Sequence, residues 1–157
     1  MGYEIRAIDV QTVKELLEGD DAGRRPRVFV TEEEGAPLRC CLTRAGVGER
    51  IALLSYAPLR RWAAERGVDP GAYDEQGPVF VHAGDCPGAG SGWPEGHTAH
   101  RMLRIYAPDG HILGGRYLAA DEDPDPALRE VFEDQEAAVV HVRAIEFGCF
   151  HFEVRRS

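Results

Sequence analysis

The apolar residues of this chain come in short runs, each closed within a few positions by Gly, Pro or a cluster of charges. Runs of that length suit strands better than long helices, and their order along the chain limits which sheet they can build. Residues 3–8 alternate weakly. Residues 27–31 are β-branched and aromatic, and 51–56 form the strongest apolar run. Residues 38–43 also read as a strand. Leu38, Cys40 and Leu42 then share one face, and Arg39, Cys41 and Thr43 the other, because successive strand side chains point oppositely. Residues 78–83 begin at Pro78, which a sheet tolerates at a strand's first position. Residues 101–106 and 111–118 flank Pro108-Asp109-Gly110 as a hairpin. Residues 139–145 and 150–155 make the last pair, joined near Phe147-Gly148-Cys149.

Helical signals are fewer. Asp9 caps residues 10–18, with Val13, Leu16 and Leu17 as the apolar stripe and Gly19 as the stop. Residues 59–66 are helix formers anchored by Trp62 and ended by Gly67. Asp125 caps a third helix with Pro126 at its first position, running to about residue 138. That gives about eight strands and two or three short helices, without the regular strand–helix alternation of a parallel doubly wound sheet. The expected class is α+β, with a mainly antiparallel sheet able to curl into a partial barrel. At 157 residues the chain is one domain, 1–157.

Charge narrows the partners. A net charge of −9 and a pI near 5.1 repel phosphate backbones and anionic lipid, so nucleic acid and membrane surfaces are poor partners. Met1–Arg6 has no basic region followed by an apolar one, and no run approaches a membrane span, so the expected location is cytoplasmic. The four cysteines, Cys40, Cys41, Cys86 and Cys149, are then thiols. An exposed sheet edge allows self-association as a homodimer.

Several segments resemble a bacterial family known as domain of unknown function 1203. Pro37-Leu38-Arg39-Cys40-Cys41-Leu42 is similar to its Pro-x-Arg-x-Cys-Leu element, and Leu53-Leu54-Ser55-Tyr56-Ala57-Pro58 to its Leu-Leu-x-Tyr-x-Pro element. Tyr73 through Ala83 resembles its Tyr-Ala-Glu-x-Gly-Pro-(Val/Ile)-Phe-Val-His-Ala run. Cys86 falls where that family has a Cys, and Gly148-Cys149-Phe150 resembles its closing turn. The resemblance implies a shared fold and carries no activity. Leu38 stands where the family often has a further Cys, which weighs against a multi-cysteine metal site.

Projected onto those positions, Arg39, Cys41, Glu75, His82 and Cys86 are the chemically capable residues. The favoured reading is a small-molecule site at Arg39, Cys41, Glu75, His82 and Trp93, with the glycine-rich stretch 84–96 closing over the ligand. Its first alternative is a thiol- or metal-dependent enzyme using Cys41 or Cys86 with His82, with Glu75 orienting the base. Zinc is the alternative cofactor and none is favoured. His82 and Cys86 are its ligand candidates, and His97 with His100 could add to them. Cys40 and Cys41 point to opposite strand faces, so only one of them is expected at such a site. The plain alternative makes the thiols core filler and Arg39 with Glu75 a structural ion pair.

Overall fold

The computed structural model describes residues 2–94 and 99–157. Its strands form two separate antiparallel sheets, so the expected partial barrel does not form. The larger sheet has the order β1-β8-β7-β5-β6, built from β1 (Tyr3–Arg6), β5 (Arg101–Tyr106), β6 (Ile112–Leu118), β7 (Val139–Ala144) and β8 (Phe150–Arg156). The smaller has the order β2-β3-β4, from β2 (Arg27–Val30), β3 (Arg50–Tyr56) and β4 (Gly77–His82). Among the described residues no strand pairing closes one sheet onto the other: β1 pairs with β8, and β2 begins the second sheet.

Helix α1 (Val10–Glu18) begins at Asp9, whose carboxylate accepts from the Thr12 amide, and places Val13 and Leu16 in the core. Helix α2 (Pro58–Glu65) buries Leu59 and Trp62 beside Tyr106 and Val139, on one face of the larger sheet. Helix α3 (Pro124–Glu133) packs Leu128 and Phe132 with Leu103, Val140, Val142 and Phe152 as a separate core cluster. It starts earlier than expected. Asp123 is the cap, accepting from the Asp125 amide, and Pro124 takes the first turn. Asp123 wins because Pro126 still fits within that first turn, where a missing amide proton costs nothing.

The β5–β6 hairpin turns at Gly110, which has φ +92°. A Cβ there would stand 2.9 Å from Pro70 Cβ, so only glycine fits. A buried cluster of α1, β3 and β4 residues with Phe150 joins the smaller sheet to the start of β8. Among the described residues no helix is long and apolar enough to cross a membrane.

The main departure from expectation lies at residues 38–43, which are a compact turn and not a strand. Leu42 donates its amide to the Leu38 carbonyl (3.0 Å), and Leu38 donates to Thr43 (2.8 Å). Leu42 has φ +60°, the left-handed region that costs a side-chain-bearing residue about 1–2 kcal/mol. Its buried side chain, packed in the α3 cluster, offsets that cost. Apolar alternation could not show this, because a turn buried on both sides carries the same residues as a strand.

Candidate metal centre

The turn is fixed to the sheets around it. The Arg39 amide donates to the Phe80 carbonyl (2.8 Å), and the Ile8 amide donates to the Arg39 carbonyl (2.9 Å). The Arg39 side chain turns away from its neighbouring cysteines. Its Nε donates to the Phe150 carbonyl at 2.8 Å, and Nη1 donates to the Pro37 carbonyl. Burial lowers this guanidinium to about 10, so it stays charged at neutral pH while it bolts the turn to β8.

The turn aims both adjacent cysteines the same way, which corrects the expectation that only one could join a site. Cys40 Sγ is 3.4 Å and Cys41 Sγ 3.8 Å from Nδ1 of His82, the last residue of β4. Cys86, four residues further on, completes the group. One ligand atom from each of Cys40, Cys41, His82 and Cys86 lies within 4.8 Å of every other. Cys40 and Cys41 are buried, and Cys86 is half-buried.

Glu49 completes the imidazole's surroundings. It immediately precedes β3, where Ile51 pairs with His82, and its Oε1 lies 3.0 Å from His82 Nε2. A carboxylate only accepts, so Nε2 carries the proton of this bond and Nδ1 is the ring nitrogen that faces the sulfurs. The Gly46 amide and then His82 hold the Glu49 carboxyl below its usual range, keeping it ionised for that purpose.

The sulfurs have donors as well. The His82 amide donates to Cys40 Sγ (3.2 Å), the Gly88 amide donates to Cys86 Sγ (3.5 Å), and the Thr43 hydroxyl lies 3.0 Å from Cys41 Sγ. Donors aimed at sulfur favour the thiolate. The adjacent Cys40 thiol lowers Cys41 below its ordinary value against the opposing effect of burial. The neighbouring Cys41, followed by burial, raises Cys40.

Four soft-to-borderline donor atoms gathered this closely could hold a tetrahedral d¹⁰ ion. Zinc–sulfur bonds of about 2.3 Å and zinc–nitrogen bonds of about 2.0–2.1 Å set tetrahedral ligand–ligand edges of roughly 3.5–3.8 Å. The two sulfur–Nδ1 distances of 3.4 and 3.8 Å lie on either side of the sulfur–nitrogen edge of about 3.6 Å. A histidine whose far nitrogen is held by a carboxylate is the usual support for such an ion.

The other expected site residues go elsewhere. Glu75 pairs with Arg104 and lies 3.7 Å from Arg143, both on the larger sheet. Trp93 stacks edge-on against Phe152, with ring centres 5.0 Å apart, on the α3 cluster. His97 lies outside the described residues, as do residues 95–96 of the glycine-rich stretch, while His100 contacts Glu146 and Tyr117. Cys149 is apart from the other cysteines, beside the Phe147 carbonyl. Sequence reasoning missed Cys40, by assigning a strand, and Glu49, whose role appears only once β3 and β4 are in register.

The fold and cluster together define a class: a two-sheet antiparallel α+β protein with a Cys-Cys-His-Cys cluster at the edge of its smaller sheet. The chain belongs to the family described as protein of unknown function (DUF1203), whose model matches residues 35–156. All four cluster residues and Glu49 fall within the match, whereas β1 and α1 precede it. No curated protein and no solved structure gives a significant match.

Proposed function

We propose that this protein is a metalloprotein that holds one zinc-class ion on Cys40, Cys41, His82 and Cys86, with Glu49 fixing the imidazole. The observation that carries the reading is the convergence of three sulfurs and one imidazole nitrogen within 4.8 Å. Convergent thiols arise in cores as apolar filler, but filler does not need a carboxylate on the far side of a histidine or amides aimed at sulfur. A four-ligand protein site is the arrangement of structural zinc, and here the ion ties the 38–43 turn, β4 and the segment after it into one unit. Binding it requires Cys40, Cys41 and Cys86 each to give up a proton, so uptake of the ion favours higher pH.

The same geometry supports a second reading for the metal-free protein. Cys41, His82 and Glu49 stand in the order nucleophile, base and orienter, which is the arrangement of thiolate catalysis. Elemental analysis of untagged protein purified without chelators separates the two. One zinc-class ion per chain, lost in Cys41→Ser and His82→Ala, is the expected result. Protein that carries no metal and takes up none from a buffered zinc solution overturns the metal reading. Rapid alkylation of Cys41 alone would then move the thiolate reading forward.

A further inference from the structure

The ligand cluster has one open side. A cavity of about 800 Å³ lies against it, with Ile8, Val13 and Leu17 on its apolar side, Cys40 and Cys86 beside them, and Arg6, Asp9, Lys14 and Asp85 also in its lining. That volume is in the range of small-molecule sites, and such sites are mostly apolar with a few placed polar groups. The four ligands differ in how they are held. Cys40 and Cys41 sit in the hydrogen-bonded turn, and His82 is a paired residue of β4. Cys86 is half-exposed on a segment with neither helix nor strand, and the bond to its sulfur comes from Gly88, two residues away. Gly84 and Gly90 have open space where a side chain would stand, and Gly88 has φ +78°. Cys86 can therefore leave the cluster without breaking a sheet pairing or the turn.

Resting on the metal reading above, we infer that the cavity binds a low-molecular-weight thiol with an apolar body, whose sulfur takes the place of Cys86 on the ion. The metal–sulfur bond to Cys86 breaks, and a metal–sulfur bond to the incoming thiol forms. The thiol's proton passes to the departing Cys86 thiolate, and no electron changes hands. Charge at the ion is unchanged, and a soft donor replaces a soft donor, which a thiolate-rich site requires of a substitute. The apolar body lies along Ile8, Val13 and Leu17, so the cavity discriminates by burial and not by the sulfur.

The test uses zinc-loaded protein carrying ¹³C at the cysteine β-carbons, titrated with 4-fluorobenzyl mercaptan and, separately, with 2-mercaptoethanol. The fluorinated thiol is expected to saturate one site, seen in its ¹⁹F spectrum, at least about tenfold more tightly than 2-mercaptoethanol, because its ring is buried. The Cys86 β-carbon moves to its free-thiol position while those of Cys40 and Cys41 stay metal-bound. Cys86→Ala removes the competing ligand and binds the probe more tightly than wild type, and Leu17→Glu binds it more weakly. Metal-loaded protein whose three cysteine signals do not move at saturating probe refutes the inference and leaves the metal centre standing. Equal affinity for the two thiols refutes the role of the cavity. Protein that holds no zinc before the titration removes the metal reading, and this inference falls with it.

Discussion

Zinc withdrawal is the perturbation with a magnitude that can be worked from the ligand positions. Cys41 and His82 are 41 residues apart. Holding two such residues together in an unfolded chain costs about 3 kcal/mol of closure entropy, so the unfolded state retains at most the local ligand pairs. Binding is then nearly exclusive to the folded state, and stability rises by about 1.4 kcal/mol for each tenfold increase in free zinc above the dissociation constant. For a domain of this length, that increment raises the melting temperature by roughly 3–6 °C per decade. The assay is thermal unfolding followed by circular dichroism in zinc buffers spanning three decades of free ion. A straight line of that slope is expected for the wild type, and a flat one for Cys41→Ser. A melting temperature indifferent to free zinc refutes the reasoning, since no ion bound only by the folded state can avoid this dependence. Equal slopes for wild type and variant refute it too, because the ion would then be held elsewhere.

Other perturbations separate the centre from the fold. Glu49→Gln keeps a hydrogen-bonding side chain but loses the fixed charge behind His82, and zinc affinity should fall about 10–100-fold in chelator competition with the fold unchanged. Trp62→Ala removes a side chain only 1% exposed between α2 and the larger sheet, and should cost about 3–5 kcal/mol in urea denaturation without changing metal stoichiometry. His141 is fully buried on β7 and bonded to Glu153 (3.1 Å), and burial lowers its pKa below the ordinary value. Its contribution to stability is therefore complete above the unfolded-state pKa of about 6.5 and is lost as pH falls below it. His141→Gln should flatten the decline of the urea midpoint between pH 7.5 and 5.5.

The sequence determined most of the elements, because each depends on neighbours a few residues away. The cap at Asp9, the stop at Gly19, the hairpin at Gly110 and the strands on either side of it are local preferences, and the structure has them. The absence of strand–helix alternation was enough to give an antiparallel α+β protein. The family resemblance marked Arg39, Cys41, Glu75, His82 and Cys86, and their side-chain chemistry singled out His82 with Cys86 as ligand candidates. Tertiary structure decided what their neighbourhood is. Leu42 adopts a left-handed conformation that its own preferences oppose, and only the burial of its side chain in the α3 cluster makes that stable. The resulting turn swings Cys40 to the same side as Cys41. Glu49 reaches His82 because Ile51 pairs with His82 across β3 and β4, a register that composition does not encode. Glu75 and Trp93, close to His82 in sequence, are drawn instead to Arg104 and Phe152 by the larger sheet. A site assembled from residues 40, 41, 49, 82 and 86 depends on long-range pairing energies, and those exist only once both sheets have formed.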